Sequence, residues 1–256
     1  MAEVSPRRLL TFAPMIDSET TRLVCRWYRI PFVEEDHLFG WVSLLALLHG
    51  GYGRVPLLYG EGDCFSGPRP VVDKFDPLAA PDRRLLPRGA RAASVEADWS
   101  AYNGQLAVDV AVFAYFHLLA ERDLMTPIFQ APLPPAEARL TPKIYPALRW
   151  LLTTLLQLKP ARADAAAARI RTLFAAIGRR LADGRPFLCG DRLTLGDIAF
   201  AAAVAPLLQP EGYGARMPAI AALPSPMRDM VNVLKRHSAA SFAERVYSAA
   251  PERMAA

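Results

Sequence analysis

Two short stretches place chemically useful side chains where backbone donors should be free. The first is Met15-Ile16-Asp17-Ser18-Glu19-Thr20-Thr21-Arg22, which precedes Leu23, Val24 and Trp27 at helical spacing. The first turn of a helix has N–H groups without intrahelical partners and the positive end of the dipole, so a hydroxyl there can help to hold an anion. Ser18 is the candidate, with Thr20 and Thr21 in reserve. Ser18 equally suits an ordinary first-turn or capping serine, and Asp17 a cap; if Asp17 instead faces the site, its charge opposes an anion held beside it. Cys25 lies too deep in the helix to profit from its terminus and reads as a buried structural thiol.

The second stretch is Ser66-Gly67-Pro68-Arg69-Pro70, just ahead of Val71-Val72. Ser66 and Arg69 could take a carboxylate, Arg69 through a bidentate fork. Arg69 also reads as a solvated helix residue. Pro68 and Pro70 lack an N–H and Gly67 lacks a side chain, so this helix opening is poor in donors. Arg69 and Arg22 are also candidates for gripping a different anionic ligand. His37, His49, His117 and His237 are isolated, and Cys25, Cys64 and Cys189 have neither metal-ligand nor disulfide spacing, so no metal is expected.

The elements that must carry these groups follow from periodicity. A strand is predicted over 9–12, a helix begun by Asp17 or Ser18, an extended segment over 30–33, and a helix over 38–48. Gly60-Glu61-Gly62-Asp63 joins two short strands as a hairpin, and a helix covers 71–75. This β-α-β-α-β-β-α order is that of the thioredoxin fold. Residues 76–87 then bring three prolines and a charge cluster. Beyond them come only Ala/Leu/Arg-rich stretches with helical spacing, near 91–123, 135–158, 162–183, 194–208 and 225–249. The expected fold class is therefore α/β plus all-α: a thioredoxin-like domain over 1–78, a linker over 79–90 and a helical domain over 91–256.

Composition narrows the function classes. Hydrophobic residues make up 52% of the 256 and charged residues 21%, which suits a globular chain with a substantial core. The net charge of +5 is spread without a basic tract, so a nucleic-acid stripe is not expected. The apolar runs are too short or too interrupted to span a bilayer, and the cysteine usage suits a reducing compartment. A soluble cytoplasmic protein with no membrane association is the expectation.

Two motifs resemble the glutathione S-transferase superfamily, one in each half of the chain. Arg54-Val55-Pro56-Leu57-Leu58 is similar to its Val-Pro-x-Leu segment at the third strand. Phe187-Leu188-Cys189-Gly190-Asp191-Arg192-Leu193-Thr194-Leu195-Gly196-Asp197-Ile198-Ala199 resembles its Leu-x-Gly-Asp-x-Leu-Thr-x-Ala-Asp pattern. In the second motif Thr194 and Asp197 stand at N-cap and N3, the positions of a capping box. The resemblance covers about residues 8–250. It implies a cis Val55–Pro56 bond, glutathione as co-substrate held by Val55, Pro56, Ser66 and Arg69, and a thiolate stabilised by Ser18. It also implies an acceptor pocket on the first long helix of the second domain, with Tyr102 and Asn103 as its residues, and a homodimer. The aromatic residues of that helix, Trp99, Phe113, Tyr115 and Phe116, read as core or interface.

The chain departs from the family where glutathione is held. A Glu-Ser or Gln-Ser pair usually opens the third helix, and those positions here are Gly67 and Pro68; no Tyr or Cys occurs between Thr11 and Val24. Two functions follow from the resemblance: a transferase conjugating glutathione to an apolar electrophile, and a noncatalytic binding or scaffold protein of the same fold.

Overall fold

The computed structural model describes residues 6–250. Strand β1 (Arg7–Thr11) runs parallel to β2 (Phe32–Asp36) and antiparallel to β3 (Leu57–Gly60), which pairs antiparallel with β4 (Asp63–Ser66). The sheet order is β2-β1-β3-β4. In the interior strands both faces are covered, which is why the adjacent residues Leu9-Leu10 and Leu57-Leu58 are all buried instead of alternating with polar ones. Glu61 and Gly62 both have positive φ, 54° and 82°, the geometry of a two-residue primed turn, so the expected hairpin forms.

Helices α1 (Ile16–Tyr28), α2 (Trp41–Leu48) and α3 (Pro68–Phe75) complete the predicted order. The start of α1 differs from the sequence reading. Met15 is the N-cap, with extended backbone, and neither Asp17 nor Ser18 caps it. The Met15 N–H closes a turn onto the Phe12 carbonyl, which brings the helix start forward and leaves Asp17 and Ser18 inside the first turn.

After two short 3₁₀ turns at Asp76–Leu78 and Pro81–Arg83, α4 (Ala90–Trp99) and α5 (Ala107–Leu118) are joined by a π-helical stretch, Ser100–Leu106. Helix α6 (Arg122–Gln130) follows; it carries Pro127 in its interior and was not expected. Then come α7 (Pro135–Leu155), α8 (Pro160–Arg180) and α9 (Leu195–Leu208). The single helix expected over 225–249 is two, α10 (Ser225–Lys235) and α11 (Ser238–Ala249), because His237 is extended and starts the second.

Helix α9 is the axis of the helical half, buried at all 14 positions. Its five alanines between 199 and 205 let α1, α4 and α11 approach closely. At its start the Thr194/Asp197 capping box is formed: the Thr194 N–H donates to Asp197 Oδ2 at 2.6 Å, and Asp197 Oδ1 accepts the Leu188 N–H at 2.8 Å. Gly196 is required by space, since a Cβ there would lie 2.6 Å from Cβ of Asp98 on α4. Among the described residues no helix is long and apolar enough to cross a membrane.

Candidate functional site

The opening of α1 faces a cavity of about 300 Å³ between the sheet-bearing half and the helices. Phe12, Met15 and Ile16 form its floor on one side, and Ala111, Tyr115 and Leu152 face them from α5 and α7. The wall is nearly all carbon. Its polar corner is made by Asp17 and Asn103, where Asn103 Nδ2 donates to Asp17 Oδ1 at 3.1 Å. Burial raises the Asp17 carboxyl above its ordinary range, and the Asn103 hydrogen bond only partly offsets this. The Thr20 hydroxyl reaches both the Ile16 carbonyl, at 3.1 Å, and Asn103 Oδ1, at 3.3 Å. Asn103 sits in the π-helical stretch, whose wider turn shifts the side chains relative to regular α spacing; such turns occur often at functional sites.

Of the site residues read from the sequence, Asn103 alone lines this cavity. Ser18 is fully buried behind it. Its hydroxyl accepts a very short hydrogen bond from Thr11 and donates to the Phe12 carbonyl at 3.2 Å. Thr21 donates back to the Asp17 carbonyl at 2.8 Å. Tyr102 points into the core and stacks edge-on against Phe200, and its phenol is pushed up by burial and then by Asp98.

The second stretch is likewise engaged. Ser66 donates to the Gly51 carbonyl at 3.0 Å. Arg69 Nη1 donates to both carboxylate oxygens of Glu96 on α4, at 2.9 and 2.7 Å, and its Nε donates to Asp73 at 2.8 Å. The bond between Val55 and Pro56 is cis, Pro56 is buried and Val55 half-buried. Among the described residues the Val55 N–H and carbonyl take no backbone partner, so that strand edge is open.

Arg22 is not available to a ligand, which corrects its reading as an anion contact. It is fully buried, with Nη1 on Glu19 at 2.8 Å and Nη2 and Nε on Glu34 at 2.5 and 2.7 Å. Cys25 is also fully buried, and burial pushes its thiol up to about 12, so it stays protonated and unreactive.

The sequence reading left Met15, Met125, Ile128, Tyr213 and Met217 out of the site, and gave Tyr115 to the core. Met15 alone lies in the first stretch singled out in the sequence, just before Asp17 and Ser18. Met125 and Ile128 come from α6, Tyr213 and Met217 from the loop after α9, and Tyr115 from α5, and they meet only in the fold.

Residues 160–224 match the family described as glutathione S-transferase, C-terminal domain. No curated protein matches the chain. Among solved structures, the chain is similar to a glutathione S-transferase from Sinorhizobium meliloti 1021, at 18% identity, 96% coverage of both chains and a TM-score of 0.55. It is similar to FzlA from C. crescentus, at 18% identity, with 90% of this chain and 85% of that one covered and a TM-score of 0.55. A glutathione S-transferase from Methylobacillus flagellatus KT with glutathione bound shares 14% identity over 96% of this chain and 99% of that one, with a TM-score of 0.55. The chain therefore has the glutathione S-transferase fold, a thioredoxin-like sheet domain followed by helices, and a C-terminal segment that matches the family directly.

Proposed function

We propose that this chain binds an apolar small molecule in the cavity beside the α1 opening, as a homodimer in the cytoplasm, and that it does so without a built glutathione site. The observation that carries this reading is the contrast between the two parts of the cleft. The cavity is a ready-made carbon-walled space with one polar corner. The side chains expected to grip glutathione are each occupied: Ser18 by Phe12, Ser66 by Gly51 and Arg69 by Glu96 and Asp73.

The Arg69 ion pairs are partly exposed, at 34% for Arg69 and 55% for Glu96, so breaking them costs only about 0–1 kcal/mol. The heavier loss is in the backbone, because Pro68 and Pro70 remove donors that no side chain replaces. Hydrogen bonds to a charged group contribute ~1.5–3 kcal/mol each, so even one absent contact weakens binding by about tenfold to a hundredfold.

Fluorescence titration with the neutral probe N-phenyl-1-naphthylamine tests the cavity. Saturable binding is expected in the wild type, with Ala111→Trp, which fills the space from α5, weakening it by ~10-fold or more at unchanged melting temperature. Equal binding by a folded Ala111→Trp variant would place the probe elsewhere and remove the proposal.

A second reading, conjugation of glutathione to an apolar electrophile, is favoured by the open backbone edge at Val55 together with the unpaired N–H groups of the first turn of α1. In that reading glutathione enters by its backbone contacts. Ser18 must then leave the Phe12 carbonyl to donate to the thiolate, and the Asp17 carboxyl must be neutral when it does.

A further inference from the structure

Away from the α1 cavity, the segment between the two halves of the molecule folds against the loop that precedes α9 and encloses a hollow of about 260 Å³. Four arginines line it: Arg84 and Arg88 from the connecting segment, Arg91 from the first turn of α4, and Arg192 from the loop before Thr194. Pro81 and Leu86 supply an apolar side, and Cys189 sits half-buried on the wall. No carboxylate lines the hollow among the described residues.

The charge there is uncompensated. Arg84 is steadied by carbonyls, with Nε on Ala79 at 3.3 Å and Nη2 on Pro77 at 3.4 Å, and Arg192 by the Pro81 carbonyl at 3.3 Å. These bonds aim the guanidinium groups without neutralising them. Arg91 has one acid nearby, Asp191 at 3.7 Å, which is 81% exposed and therefore largely screened. Arg88 has no partner among the described residues. Arg88, Arg91 and Arg192 are exposed and Arg84 is half-buried, so the four guanidinium groups are open to a ligand from solution, unlike that of Arg180, which is held by Asp98 at 2.6 and 2.7 Å. Four like charges drawn around one concavity repel one another, and a multiply charged anion relieves that repulsion while accepting forked hydrogen bonds.

We propose that this hollow is a binding site for a small organic diphosphate or triphosphate, its phosphoryl oxygens held by Arg84, Arg88, Arg91 and Arg192 and its organic part lying against Pro81 and Leu86. A single carboxylate would satisfy one fork and leave the others facing each other, whereas linked phosphoryl groups present several oxygen pairs at once. The concave arrangement favours a compact anion over an extended nucleic-acid strand, which would need a stripe of cations with aromatic stacking surfaces. The site is independent of the α1 cavity.

The probe is inorganic pyrophosphate at low ionic strength, and Cys189 gives a local readout. Bound pyrophosphate should slow alkylation of Cys189 by iodoacetamide several-fold while leaving the exposed Cys64 unchanged. Calorimetry should give saturable binding that weakens ~10-fold or more in the Arg88→Ala/Arg192→Ala variant. The Arg139→Ala/Arg171→Ala variant, which removes the same charge from the exposed faces of α7 and α8, should bind as the wild type does. Absence of saturable binding, equal weakening in both variants, or stronger protection of Cys189 by a single-stranded oligonucleotide than by pyrophosphate would overturn the proposal.

Discussion

Asp17 sets the character of the cavity's polar corner. Its carboxyl is held by Asn103 and raised by burial, so it takes up a proton more readily than a surface aspartate. An anion bound beside it disfavours the charged carboxylate further, so binding of an anionic ligand is coupled to proton uptake and strengthens as pH falls. Anilinonaphthalene sulfonate, an apolar anion, is accordingly expected to bind more tightly at acid pH. Asp17→Asn should raise its affinity at neutral pH and flatten the pH profile, and a profile that runs the other way would show that Asp17 does not face the ligand. At this scale the sequence showed residue types well and partners poorly. Ser18 and Arg69 are chemically able to hold a thiolate and a carboxylate, but Ser18 is turned onto the Phe12 carbonyl and Arg69 is shared between Asp73, one turn on, and Glu96, 27 residues away on α4.

Local signals carried the elements. The hairpin at Glu61-Gly62 and the Thr194/Asp197 box depend on neighbours within a few residues, so their chemistry was legible. Helix α6 was not, because Pro127 and the prolines that follow it read as breakers, and the break at His237 lies between two stretches of unbroken helical spacing. The capping box makes a prediction of its own. Asp197 is buried, and burial raises its carboxyl to about 6 from 3.8, against hydrogen bonds from Thr194 and Leu188 that lower it. A raised folded-state value means that the native state holds the proton longer. Its contribution to stability is thus fully present below pH of about 4 and is lost as pH rises through about 6. Asp197→Asn should therefore lose this part of the pH dependence, seen as a melting-temperature difference from wild type that changes between those limits. Asp197→Ala leaves buried N–H groups unpaired and should cost ~1–3 kcal/mol in denaturant unfolding at any pH in that window.

At the scale of the molecule, a buried polar network ties the two halves together beside the cavity. Glu19 accepts hydrogen bonds from Arg22, from the Gly214 N–H at 3.1 Å and from the Tyr247 hydroxyl at 2.9 Å, while Arg22 also holds Glu34 on β2. Burial opposes the Arg22 charge, but Glu19 and Glu34 more than restore it, so the guanidinium stays protonated. Gly214 leaves room for this: a Cβ there would stand 2.5 Å from Arg22 Cδ. Glu19 and its partners Gly214 and Tyr247 are 195 and 228 residues apart in sequence, which is why no local pattern announced them. The network fixes the first turns of α1, and with them the side of the cavity that Met15, Ile16 and Asp17 form. The proposed function sets an apolar cavity beside an α3 opening in which Pro68 and Pro70 lack an N–H. Calorimetric titration of the wild-type protein with reduced glutathione measures this directly. The expected result is no saturable heat below a Kd of about 1 mM; micromolar affinity, lost in Arg69→Ala, would contradict the account and show that Arg69 leaves Glu96 to complete the site.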